Sequence, residues 1–242
     1  MKTHTRDVVN FTTIDIAKRF VVEEMTSLFG GQGETLIISY EGEPYVENVV
    51  KMLAENEWAT TVTVVTFDSL ASLQANLAKR EYQQRYQAIF IFNSLHRLTD
   101  LQPLDECFKQ VLQEKGKLHV SWPASGVVPN TKRLSEKEIA EELTGSALQA
   151  FDDLRKDDHC YVQALPSFQC QRMVKFDFGL AFQDIEGLKS WHKGGADILF
   201  GADLTEDVQA LKERYYLQLY RLYLRGQYQA RMATTVADFI LN

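Results

Sequence analysis

Four short runs of this sequence carry side chains able to bind or transform a ligand: Tyr40-Glu41-Gly42-Glu43, Asp68-Ser69, Asn93-Ser94-Leu95-His96 and Trp122-Pro123-Ala124-Ser125-Gly126. Asp68 is a carboxylate beside a hydroxyl. It can accept hydrogen bonds from a ligand's hydroxyl groups, or it can cap the helix that follows. His96 can act as a general base, because an unperturbed imidazole titrates near about 6.5, or it can be an ordinary polar loop residue. Trp122, with Phe168, Phe176, Phe178, Phe182, Trp191 and Phe200, can line an apolar pocket or simply form core, since aromatic side chains dominate buried area. Trp191-His192-Lys193-Gly194-Gly195 reads as a loop with site-like composition. His159, Cys160 and Cys170 lack the paired spacing of a zinc site, so no metal is expected. His4, His119 and His192 have no partners at recognisable spacing, and no catalytic triad is assigned.

Each of the four runs follows a segment that reads as a strand. Residues 35–40 form a short apolar run bounded by glycine, too brief for a helix. Residues 60–67 are rich in β-branched side chains, and 87–92 and 117–122 are likewise strand-like. Helical spacing marks 13–28, closed by Gly30-Gly31-Gln32-Gly33, and 44–58, with Pro44 suited to a first turn. It also marks the stretch carrying Leu70, Leu73 and Leu77, and residues 101–115, stopped by Gly116. Strand and helix alternate four times, the signature of a mostly parallel sheet covered on both faces. In such sheets ligands lie beyond the carboxyl ends of the strands, which is where the four runs fall. Further on, 135–154 reads as helix, 160–182 mainly as strand, 204–225 as a long helix and 231–241 as a final strand.

The chain has 242 residues, 45% of them hydrophobic and 24% charged, which excludes a disordered or collagen-like protein and suffices for one large core. The net charge of −7 argues against a general nucleic-acid binder. No apolar run approaches a transmembrane span, and the first residues lack an apolar signal core. The three cysteines, Cys107, Cys160 and Cys170, read as reduced thiols, and a cytoplasmic protein is expected.

Residues 88–98, Ala-Ile-Phe-Ile-Phe-Asn-Ser-Leu-His-Arg-Leu, resemble the fourth-strand region of class I S-adenosylmethionine-dependent methyltransferases. Residues 104–122 supply the continuation, with Glu114-Lys115-Gly116-Lys117-Leu118 in the place of that family's glycine turn. Residues 69–97, including Tyr82-Gln83-Gln84-Arg85-Tyr86, are similar to the histamine N-methyltransferase branch, as is the ending of helix followed by β-rich tail. The resemblance implies one methyltransferase-like domain: an N-terminal helical segment (1–33), a Rossmann-like core (34–122), a substrate-side insertion with strands (123–203), and a C-terminal helix and strand (204–242). It implies a mostly parallel sheet with an antiparallel C-terminal strand. It also implies an S-adenosylmethionine site lined by Tyr40, Gly42, Asp68 and Ser94, with His96, Trp122 and Trp191 facing the methyl acceptor.

Two departures stand out. Only Gly42 remains of the glycines expected after the first strand, and the motif is degenerate there. Between Trp58 and Ala88 there is room for one strand–helix unit where the family has two. If 60–67 is the second strand, Asp68 resembles the family's ribose-binding acid; if it is the third, Asp68 lies near the adenine. The function implied is methyl transfer to a small molecule, an amine among the candidates. The alternatives are a catalytically inactive binding or interaction module, and the same fold reused for other small-molecule chemistry. The tyrosines and arginines of 204–225 suit a surface for a protein partner or a second copy, or else belong to a solvated helix packed on the sheet.

Overall fold

Residues 35 to 39, Thr-Leu-Ile-Ile-Ser, are buried without a break. Side chains of a strand alternate between faces, so this run requires a sheet covered on both sides. The computed structural model describes residues 4–12, 14–27, 33–41, 46, 50–51, 61–124, 136–145, 156–201 and 205–242. Its strands are β1 (His4–Thr12), β2 (Glu34–Tyr40), β3 (Thr61–Phe67), β4 (Tyr86–Ile91), β5 (Leu112–Pro123), β6 (Phe168–Leu180) and β7 (Arg231–Leu241). Its helices are α1 (Ile14–Ser27), α2 (Leu70–Leu77), α3 (Leu104–Val111), α4 (Glu136–Thr144), α5 (Asp158–Gln163), α6 (Ile185–Phe200) and α7 (Glu206–Leu224).

The strands form one seven-stranded sheet in the order β1-β6-β7-β5-β4-β2-β3. β3, β2, β4 and β5 are parallel; β7 runs antiparallel to both β5 and β6, and β1 is parallel to β6. Ile37, Phe90, Phe176 and Val236 pack on one face with apolar residues of α1, α4, α6 and α7. Leu36, Ile38, Ile89 and Trp122 pack on the other with α2, α3 and α5. This is the mostly parallel Rossmann-like sheet, helices on both faces and antiparallel C-terminal strand, that the sequence implied.

The order also settles which unit is missing. In an open sheet of this kind the second strand lies directly beside the first. β3 lies directly beside β2, so Thr61–Phe67 is the second strand, and the edge strand beyond it is absent among the described residues. Val64 and Thr66 are accordingly exposed, while Val65 and Phe67 are buried under α2.

Several expectations are corrected. The segment 1–33 is not purely helical, because His4–Thr12 pairs along β6. The expected loop around Trp191 is the interior of α6, capped by the Asp184 side chain accepting from the Gly187 N–H, 2.9 Å. The helix expected over 101–115 ends at Val111, because the carbonyls of Gln110 and Val111 accept from the Gln84 and Arg85 N–H groups and draw the chain into β5. Residues 160–163 belong to α5, whose N-cap is Asp157. Tyr216 of the 204–225 helix is core, since α4 and α6 both pack on α7; Tyr220 and Tyr223 are half-buried and stacked on each other. Gly42, Gly126, most of the expected helix at 44–58 and the second half of the one at 135–154 lie outside the described residues.

The core beneath α3 gives a direct stability test. Phe108 is fully buried among residues of α2, α3 and β5. Phe108→Ala should lower the unfolding free energy by about 3–5 kcal/mol, read from denaturant midpoints at constant slope.

Candidate functional site

From β2 the chain passes to β3 on one side, whereas β4 and β5 lie on the other. The carboxyl ends of β2 and β4 therefore flank the switch point where open α/β sheets place ligands. There the Tyr40 N–H donates to Ser94 Oγ at 3.0 Å, and the Ser94 hydroxyl donates to the Phe92 carbonyl at 2.7 Å. Ser94 is fully buried, and this bridge uses its proton and one lone pair. Asn93 takes a left-handed conformation, φ 40°, and its N–H meets the Ser121 hydroxyl at 3.0 Å, so the turn after β4 is also fixed to β5. The guanidinium of Arg97 lies 5.6 Å from the Tyr40 ring, which meets Phe67 edge-on.

Asp68 follows directly on Phe67, whose carbonyl accepts from the Glu41 N–H at 2.8 Å. This places Asp68 beside the end of β2. Ser69 is the N-cap of α2, so the capping role considered for Asp68 falls to its neighbour. Hydrogen bonds from the Ser72 and Ser69 hydroxyls hold the exposed Asp68 carboxyl below the usual carboxylate range. The result is a charged acceptor at the sheet's carboxyl edge.

His96 sits in a short turn of 3-10 helix, Leu95–Arg97. Burial, then the Arg97 and Lys156 charges, push its imidazole down to about 4. Its Nδ1 is buried and has no hydrogen-bond partner among the described residues. Lys156, its own ammonium pKa lowered by burial, donates to the Leu98 carbonyl at 2.5 Å. A histidine tuned this low is a weak proton store at neutral pH but a steady neutral hydrogen-bonding group.

Tyr40, Asp68, Ser94 and His96 thus converge on the carboxyl ends of β2, β3 and β4. The two tryptophans do not join them. Trp122 is fully buried on the α5 face, stacked on Tyr161 at 4.5 Å, with its indole N–H donated to Asp158 at 2.8 Å. Trp191 is half-buried on the opposite face, with the Lys18 ammonium 5.6 Å from its ring. Among the described residues no group of histidine, cysteine and acidic side chains is arranged to hold a metal ion.

A second polar cluster went unread in the sequence. The Tyr228 hydroxyl donates to Glu136 at 2.8 Å and lies 3.0 Å from Nε2 of the buried His192, whose Nδ1 is 3.6 Å from Glu136. Burial and the Glu136 charge raise the Tyr228 phenol well above its ordinary value. The cluster joins α4, α6 and the segment entering β7. No local signal could reveal it, because Glu136 is one of four glutamates in α4 and its partners lie far away in the sequence.

His96 yields a pH test. Its folded pKa near 4 lies below the ordinary 6.5, so the unfolded chain binds the extra proton between those values. The stabilisation is complete above the upper value and is lost as pH falls through the window. His96→Gln should shrink the difference in urea midpoint between about pH 7 and about pH 4.5 relative to the unsubstituted chain; an unchanged difference refutes the assignment.

No protein-family model and no curated protein matches the sequence. Solved structures do. A candidate methyltransferase from Bacillus halodurans is similar with a TM-score of 0.51 at 14% identity, over 90% of this chain and 97% of that one. The YcgJ protein of Bacillus subtilis gives 0.48 at 11% identity, over 93% and 99%. A candidate sarcosine dimethylglycine methyltransferase from Galdieria sulphuraria gives 0.44 at 12% identity, over 93% and 85%. The first likeness spans nearly the whole of both chains, and by it this protein has the Rossmann-like fold of class I S-adenosylmethionine-dependent methyltransferases.

Proposed function

We propose that this protein binds S-adenosylmethionine at the carboxyl ends of β2 and β3 and directs its methyl group to a small-molecule acceptor. The observation that carries this reading is the position of Asp68, a charged and exposed carboxylate at the end of the strand beside β2. Such a group fits a ribose, whose paired hydroxyls need an acceptor there. Tyr40 and Ser94 form the floor at the switch point, and Gly42 follows Tyr40 in the chain. Bound S-adenosylmethionine would supply an electrophilic methyl group for direct displacement.

The chain's own contribution is then alignment, which can account for much of the rate in a displacement. His96 would present a neutral ring nitrogen to the acceptor, and the nearby Arg97 and Lys156 would discourage a cationic form of it. An amine acceptor, suggested by the resemblance, would therefore be held as the free base that displacement requires. Trp122 and Trp191 would act from the core on either side, shaping the sheet that carries these groups.

One observation favours a second reading, a non-catalytic binding module. The Tyr40 N–H donates to Ser94 Oγ, whose own proton goes to the Phe92 carbonyl, and Arg97 covers the Tyr40 ring, so part of the switch point is closed by the chain itself.

Calorimetric titration with S-adenosylmethionine and its demethylated product separates the two. The first reading expects micromolar binding that Asp68→Asn weakens by about tenfold or more, with the circular dichroism spectrum of the folded chain retained. Absence of binding at millimolar ligand overturns it and leaves the module.

A further inference from the structure

Three hydrogen-bond donors stand in one row across the sheet. Trp122 of β5 is paired with Thr235 of β7, and Thr235 in turn with Lys175 of β6. Residues directly opposite one another share a face, so all three point into the layer beneath α5. One carboxylate meets the whole row. Asp158 Oδ1 accepts from the Trp122 indole N–H at 2.8 Å and from the Thr235 hydroxyl at 3.0 Å. Its Oδ2 pairs with the Lys175 ammonium at 2.5 Å. Tyr161, about one turn further along α5, lies over the same indole, with ring centroids 4.5 Å apart.

A helix of six residues has too few internal hydrogen bonds to stand alone, so these contacts set where α5 begins. The residues leading into it are fixed as well. Asp157 accepts from the Cys160 N–H at 2.9 Å, and Lys156 donates to the Leu98 carbonyl at 2.5 Å. The Leu98 N–H closes the 3-10 turn onto the Leu95 carbonyl at 3.0 Å, with His96 between them. Ser94 ties the front of this turn to Tyr40 and Phe92, and Lys156 ties its rear. Two residues of chain span at most about 7 Å, so a shift of Asp158 off its row passes directly to the backbone that carries Lys156.

We propose that Asp158 is a positioning residue for His96: the row of Trp122, Thr235 and Lys175 holds its carboxylate, and through Lys156 it holds the turn that presents His96 to the acceptor. The assignment rests on the acceptor-facing role proposed above for His96, but the brace itself is made only of this chain's side chains and needs no ligand. It also gives Trp122 a part in the site, exercised from beneath instead of by contact.

The test follows the His96 ring by NMR titration of the full chain without ligand, its signal identified by its loss in His96→Gln. Burial and the Arg97 and Lys156 charges hold its midpoint at about 4. Asp158→Asn keeps the shape of the side chain but turns one acceptor into a donor facing the Lys175 ammonium. Loss of a negative charge by itself would lower the midpoint. Release of Lys156 and opening of the turn should raise it, by about half a pH unit or more, so the sign of the change separates positioning from electrostatics. Lys156→Met should raise it as well. Adding Asp158→Asn to Lys156→Met should then give no further rise, because both act through one brace. Thr235→Val removes one donor, keeps the side-chain shape and should move the midpoint the same way, so the outcome does not hang on the carboxylate variant alone. A midpoint that stays or falls in Asp158→Asn, or rises equally with and without Lys156, overturns the proposal. A rise in a chain that binds no S-adenosylmethionine would retire the acceptor role and leave the brace standing.

Discussion

The burial of Leu36, Ile37 and Ile38, three consecutive side chains that point to opposite faces, is the constraint on which the rest of this architecture rests. A strand can meet it only at the centre of a layered sheet with helices above and below. Parallel neighbours on both sides of β2 then follow, each reached by a crossover. The chain must depart from β2 in one direction and return on the other. That reversal opens the crevice, and the strand ends that flank it are where Tyr40, Asp68 and Ser94 come together.

The strands nearest this constraint were the most legible in the sequence. β2, β3, β4, β7 and the later part of β5 are runs of branched and aromatic residues, and the buried pattern announces them. β1 was missed because His-Thr-Arg-Asp-Val-Val-Asn-Phe-Thr holds few apolar residues and takes its partner, β6, from the far end of the chain. Gly194-Gly195 suggested a loop, yet the surrounding Leu188, Ala196 and Leu199 recur at helical spacing and carry the glycines within α6. Tertiary packing overrode a local propensity there.

The site was legible in proportion to how much of it lies at strand ends. Asp68, Ser94 and His96 follow strands and could be named from position alone. The tuning of His96 could not, because Lys156 reaches the same turn from 60 residues away in sequence, donating to the Leu98 carbonyl. Trp122 illustrates the converse: it follows the pattern of a strand-end residue but turns its indole into the layer beneath α5, where Asp158 also accepts from Thr235 and pairs with Lys175. Position in the chain predicts which edge a residue reaches, not which face its side chain takes.

The place of β7 between β5 and β6 governs how the molecule can assemble. β3, β2, β4 and β5 can pair as soon as each has been made, through connections of modest length. β6 and β1 have no strand contact with that half except through β7, the strand that follows all the others in sequence. His4, near the start, must wait for Val174, and the pair so formed stays apart from the first half until Arg231–Leu241 is inserted between them. Contacts of such sequence separation slow folding, because loop closure precedes any gain from pairing. β1 therefore stays unpaired until β6 has formed, and one late strand, β7, joins both halves at once.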